Sequence, residues 1–131
     1  MRIAQALVEE IVAHAHEEAP NECCGMVGGG NGRARTVYRA RNAEASPLRY
    51  SIDAKEQFEL MRRIENAGEE LVAIYHSHTR SAAYPSQTDV NLAGWPDAVY
   101  VIVSLEQPES PDVRGFWIRE EEISDAELTV E

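Results

Sequence analysis

Residues 98–105, Ala-Val-Tyr-Val-Ile-Val-Ser-Leu, set apolar side chains at successive positions. In a strand, neighbouring side chains point to opposite faces, so this segment must be covered on both sides. It belongs in the centre of a sheet with helices packed against both faces. Two segments can supply that cover. Residues 3–18 carry Ile3, Ala6, Leu7, Ile11, Val12 and Ala15 at helical spacing with glutamates between them, and Pro20 stops the pattern. Asp53 is a good N-cap for a second helix that runs to Ala67 and closes at Gly68, with Phe58, Leu60, Met61 and Ile64 on its apolar face.

The remaining elements are short. Residues 22–29 read as a buried strand, the Gly28–Gly32 run as a turn, and Thr36–Arg41 as the returning strand. Pro47 interrupts the chain, and Arg49–Ile52 reads as another strand. Leu71–His78 is a strand, Ser86–Ala93 a short helix and 113–119 a further strand, and the acidic tail from Glu120 supplies a last edge strand. No repeat or linker divides the chain. The expectation is one α/β domain over 1–131, a sheet with a long helix on either side. Gly28–Gly32 lacks the Lys-Ser/Thr of a phosphate loop and continues as strand, so it is read as a hairpin turn.

Composition narrows the setting. At 131 residues with 44% hydrophobic content, the chain can bury a core. A net charge of −11 argues against nucleic acid and anionic membranes as partners. No apolar run approaches the roughly 18 residues that span a bilayer, and the N-terminus lacks a signal-peptide core. Cys23 and Cys24 are adjacent and form no disulfide framework. A soluble, cytoplasmic protein is expected.

The chemistry concentrates in His76-Ser77-His78 and Ser86-Gln87-Thr88-Asp89. On a strand, the period of two sets both imidazoles on one face. Asp89, arriving from the next element, completes an N/N/O set that zinc takes readily, with the fourth position left for water. Each residue also has a structural reading. A strand histidine is often a hydrogen-bonded core residue. Ser86-x-x-Asp89 resembles a capping box, and one carboxylate would then have to serve both the cap and the metal. Ser86 could instead donate to a developing oxyanion. Glu22, which opens an apolar strand, is a candidate proton carrier or a solvated surface glutamate. Other metal patterns fail: His14 and His16 point in different directions on a helix and are expected at the surface, and no His-Glu-x-x-His is present. Pairing Cys24 with His76 or His78 as a cysteine nucleophile finds no low-pKa environment.

Together these residues resemble the JAMM (MPN-plus) zinc metallopeptidases. That pattern is an upstream Glu, then His-x-His, seven residues, Ser, two residues and Asp, met here by Glu22, His76-Ser77-His78, Thr79–Pro85, Ser86 and Asp89. The resemblance implies a curved mixed β-sheet flanked by two long helices, with a short helix after the His-x-His strand. It implies one zinc with a bound water per chain, held by His76, His78 and Asp89, with Glu22 as general base and acid and Ser86 stabilising the tetrahedral intermediate. Asn21-Glu22-Cys23-Cys24-Gly25 and Ala83-Tyr84-Pro85-Ser86 look like the compact actinobacterial members, and the resemblance is nearest to one that releases cysteine from a ubiquitin-like sulfur-carrier protein ending in Gly-Gly. Thr79 stands where many members have Pro. A general isopeptidase acting on modified lysines and a non-catalytic scaffold are the other readings. Monomer and homodimer are equally compatible with the sequence.

Overall fold

The computed structural model describes residues 1–131. Eight strands form one sheet: β1 (Arg2–Ile3), β2 (Cys24–Gly30), β3 (Arg33–Ala40), β4 (Glu70–His78), β5 (Val99–Ser104), β6 (Asp112–Arg119), β7 (Glu122–Ala126) and β8 (Thr129–Val130). Three helices accompany them: α1 (Gln5–Glu18), α2 (Ala54–Asn66) and α3 (Gln87–Leu92). The strand order is β7-β6-β5-β4-β2-β3-β1-β8. β4 and β5 run parallel, joined by a crossover through α3, and β1 is parallel to both β3 and β8. The other pairings are antiparallel. The sheet is therefore mixed, as the resemblance implied, and not plainly parallel.

The pleat of β2 and β4 sorts the core into two layers. Cys23, Val27, Ala73 and Tyr75 face α1 and join Ile11 and Ala15. Cys24 and Met26 face the other way, toward Leu60 and Ile64 of α2. Ile74 on that same face packs with Tyr100 and with Val90 of α3. α2 begins at Asp53, whose carboxylate accepts from the amides of Lys55 and Glu56, a cap worth about 1 kcal/mol. β5 is buried at every position, which is why its sequence shows no alternation.

The chain hops from one edge of the sheet to the other between β7 and β8. Only two residues separate them, and such a segment spans at most about 11 Å between flanking α-carbons. The sheet must curl until its two edges approach. The terminus follows the same path: the amide of Thr129 donates to the Met1 carbonyl, and the Met1 ammonium donates to that of Glu127.

Several expectations need correction. Arg49–Ile52 forms no strand; Tyr50 and Ile52 instead pack onto the α2-side core, because β3 already has β1 and β2 as neighbours. Phe58 is exposed, since the apolar stripe of α2 that meets the sheet is centred on Leu60 and Ile64. α1 starts at Gln5, and the preceding Arg2–Ile3 adds an edge strand. β2 extends to Gly30, so the turn shrinks to Asn31-Gly32, both at positive φ, as a two-residue hairpin requires. The acidic tail supplies a strand at each edge rather than one. His14 is buried and pairs its Nδ1 with the Tyr75 hydroxyl at 2.7 Å, whereas His16 is exposed as expected.

Gly25 explains how the Tyr75 ring fits. A Cβ at position 25 would lie 2.3 Å from that ring, which is fully buried and held at its hydroxyl by His14. Neither group can yield cheaply. Gly25→Ala is expected to lower stability by about 1–3 kcal/mol in urea unfolding, the usual cost of overpacking.

Candidate metal centre

β4 carries His76 and His78 to its C-terminal end, and both rings emerge on the face shared with α2 and α3. α3 then brings Asp89 back to them. Nε2 of His76 lies 3.2 Å from Nε2 of His78, and Asp89 Oδ2 lies 3.1 Å and 3.0 Å from these two nitrogens. All three residues are buried.

Tautomers decide what this triangle can hold. Nδ1 of His78 lies 2.9 Å from the Ala82 carbonyl, which can only accept, so Nδ1 carries the proton. Nε2 of neutral His78 therefore presents a lone pair to the cluster. Burial pushes the His76 pKa down, which favours its neutral form. Burial also opposes charge on His78, but its hydrogen bonds to Asp89 and Ala82 and the Asp89 charge outweigh that and raise its pKa. Burial would raise the Asp89 carboxyl as well; the hydrogen bonds with His76 and His78 win and hold it well below the usual carboxylate range. With both imidazoles neutral and Asp89 ionised, three donor atoms lie within 3.2 Å of one another. For metal–ligand bonds of 2.0–2.1 Å, a coordination tetrahedron has edges of about 3.3 Å, close to the three distances found. The residues present fit a small divalent cation.

Asp89 forms the cap, and the same carboxylate faces the two imidazoles. Ser86 Oγ accepts from the Asp89 amide at 3.1 Å, and the Ser86 amide donates to Asp89 Oδ2 at 2.9 Å. The capping box is complete, and it aims the same oxygen at the histidines. Since Ser86 Oγ is used there as an acceptor, its hydroxyl proton is free to donate elsewhere. Ser86→Ala is expected to cost about 1 kcal/mol of stability through the lost cap.

Glu22 reaches the site by register. Cys24 pairs with His76, and the Ser77 amide donates to the Cys23 carbonyl at 3.2 Å. Two residues back along the pleat, Glu22 comes opposite His78 on the ligand face. It is not a surface acid: it is 4% exposed, and its Oε1 is buried with no hydrogen-bond partner. Burial, the largest cause, and the Asp89 charge push its pKa up to about 8 against the opposing pull of His78. The Cys23 amide donates to the Ser77 hydroxyl at 2.8 Å, tying the start of β2 to the strand between the two ligands.

Two residues escaped sequence reading. Tyr50 stacks on the His76 ring, centroids 4.5 Å apart and planes 24° apart. Asn42 uses its whole side chain to hold the loop that presents Tyr50. Its Nδ2 donates to the carbonyls of Glu22 and Arg49, and its Oδ1 accepts from the amides of Glu44 and Ser51. An Asn just after a strand gives no periodic signal. The cysteine alternative is removed, because burial pushes the thiols of Cys23 and Cys24 up to about 11 and about 12. Both cysteines are in the core, on opposite faces of the sheet.

Comparison with known proteins agrees with this geometry. The family described as prokaryotic homologs of the JAB domain matches residues 4–119. The CysO-cysteine peptidase of Mycobacterium tuberculosis is 42% identical over 126 residues, 95% of this chain and 86% of that protein. The desampylase of Haloferax volcanii is 40% identical over 104 residues, 73% of this chain and 74% of that protein. A solution structure from Desulfitobacterium hafniense superposes with a TM-score of 0.90 at 31% identity, covering 100% of this chain and 93% of that one. With the family match spanning most of the sheet and the whole His76, His78 and Asp89 cluster, the chain belongs to the prokaryotic JAB/MPN (JAMM) family of metallopeptidases.

Proposed function

We propose that this protein hydrolyses the amide bond after the C-terminal Gly-Gly of a ubiquitin-like sulfur-carrier protein and releases cysteine. The observation that carries the reading is the buried, unpartnered carboxyl of Glu22 opposite His78, beside an intact three-ligand cluster. His76, His78 and Asp89 would hold zinc, which when bound polarises the substrate carbonyl and makes water a nucleophile near neutral pH. Glu22 takes the proton from the attacking water and returns it to the departing amine. Its raised pKa lies close to neutral pH, where such transfer is most efficient. The Ser86 hydroxyl donates its free proton to the oxyanion of the tetrahedral intermediate. Glycine suits the position next to the cluster because a residue without a side chain lets the backbone approach closely.

Likeness to the CysO-cysteine peptidase over nearly the whole chain supports the cysteine-releasing form of this reaction. An isopeptidase acting on modifier–lysine conjugates is the second reading, supported by the nearly equal identity to a differently named relative, the desampylase. Incubation with a carrier–cysteine adduct beside a carrier–lysine conjugate, followed by mass spectrometry, separates them. Loss of the adduct with the conjugate intact is expected; the reverse order of rates would overturn cysteine release. A scaffold role is disfavoured by the complete donor set. Metal analysis of purified protein is expected to show one zinc per chain, and a chelator should abolish hydrolysis. A cytoplasmic setting belongs to the same reading, supported by two free buried thiols. No helix is long and apolar enough to cross a membrane.

A further inference from the structure

A cleft of about 260 Å³ opens between the loop before α2 and the far end of α3, on the sheet face that carries the ligands. Its walls are largely apolar, with Ile52 on one side, Leu92 and Trp95 on the other, and Ile74 and Tyr100 beneath. It adjoins the metal centre, because Asp89 and Tyr50, which stacks on His76, both line it. The walls are held in place. The Tyr100 hydroxyl accepts from the amides of Gly94 and Trp95 at 3.1 Å and 3.0 Å, and Asn42 fixes the opposite loop through Arg49 and Ser51. Leu92 is 66% exposed, a large apolar side chain left in water at the mouth of the cleft.

Neither end of the scissile bond fills such a space. The two glycines have no side chains, and the side chain of a departing cysteine is far smaller than the cleft. We infer that the cleft is a specificity pocket for an apolar side chain of the carrier tail, the one immediately upstream of the two glycines. This rests on the proposed Gly-Gly substrate and adds a requirement to it. Burying a leucine-sized side chain there would remove apolar surface of both partners from water, and mismatched side chains would be rejected by one to two orders of magnitude. Ser51, Gln57 and Thr88 leave polar groups among the lining that can accept or donate to the tail backbone.

The test uses synthetic peptides acetyl-X-Gly-Gly and acetyl-X-Gly-Gly-Cys, with X as Leu, Ala or Asp. Calorimetry of the first series reads binding without any turnover. Wild type is expected to bind the Leu peptide at least tenfold more tightly than the Asp peptide. Leu92→Asp, a surface change that leaves the fold intact, and Trp95→Ala should each bring that ratio below about threefold. For the second series, kcat/KM should follow the same order, while replacing the departing Cys by Ser should leave the X preference unchanged. Equal binding of all X peptides, or a preference untouched by both variants, would overturn the pocket. If binding follows X but no cysteine is released from any peptide, the pocket stands and the proposed reaction fails. If every peptide is cleaved without regard to X, the reaction stands and the pocket fails.

Discussion

Glu22→Gln is expected to lower kcat by about 10²–10⁴-fold while leaving zinc content at one per chain. Glutamine keeps the shape and the burial of the side chain but cannot carry a proton between water and amine. Near-normal turnover by this variant would remove Glu22 from the proposed mechanism. The same substitution has a thermodynamic signature of its own. In metal-free protein the Glu22 pKa is raised from 4.5 to about 8, so the folded state holds this proton more tightly than the unfolded chain. Below about pH 4.5 both states are protonated and the carboxyl carries no charge penalty. As pH rises toward 8 the unfolded chain ionises freely and the folded one does so at a cost, so the wild type loses stability through that window. Urea unfolding in chelator should therefore show Glu22→Gln gaining on wild type between pH 5 and pH 8, by on the order of 1–3 kcal/mol once water access and relaxation are discounted. A gain that shrinks with rising pH would mean that the carboxyl is stabilised in the fold, the opposite of what its orphaned oxygen indicates.

Asp89→Ala is expected to lose both the metal and the activity, to below one hundredth of wild-type zinc affinity and with turnover at background. One of three protein donors disappears, and the two imidazoles that remain do not close the set. The cost extends beyond the metal. Asp89 Oδ2 also accepts from the Ser86 amide, so the start of α3 loses half of its capping box. The shift at Asp89 is downward, so its stabilisation of metal-free protein is present above the ordinary carboxylate pKa of 3.8 and fades as pH falls below it. Asp89→Asn separates the two duties. An amide oxygen can still accept from Ser86, so the helix start should survive, whereas the loss of charge should weaken zinc binding. Zinc titration monitored by a competing chelator, run beside unfolding curves at pH 7, reads both effects. Full zinc affinity in the Ala variant would show that the carboxylate is a cap alone.

The family's fold and site were legible in unequal parts. The period of two in β4 was enough to set His76 and His78 on one face, and the unbroken apolar run of β5 was enough to bury it, since both follow from strand geometry alone. Asp53 and Gly68 bounded α2 because caps are local chemistry. Local patterns failed where a neighbour distant in sequence chose the outcome. His14 lies on a helix with a polar-looking surround, yet Tyr75, 61 residues away, draws it into the core. Tyr50 and Ile52 look like strand residues, but no strand edge is available to them and the α2 face takes them instead. Phe58 fits the helical period and still points to water, because the sheet covers only part of that stripe.

What the sequence determined by itself is the inventory: which donors exist, that the two histidines share a face, and that Ser86 and Asp89 stand in capping register. Those are consequences of backbone periodicity and need no partner. Only the tertiary structure decided how they are used. The antiparallel register of β2 on β4 set Glu22 opposite His78 and took its carboxyl out of water. The crossover through α3 brought the capping carboxylate to the histidines, with one oxygen facing the Ser86 amide and both imidazoles. The Asn42 loop laid Tyr50 on His76 and opened the apolar cleft beside it. Each of these depends on contacts between residues far apart in the chain, and no local pattern encodes them.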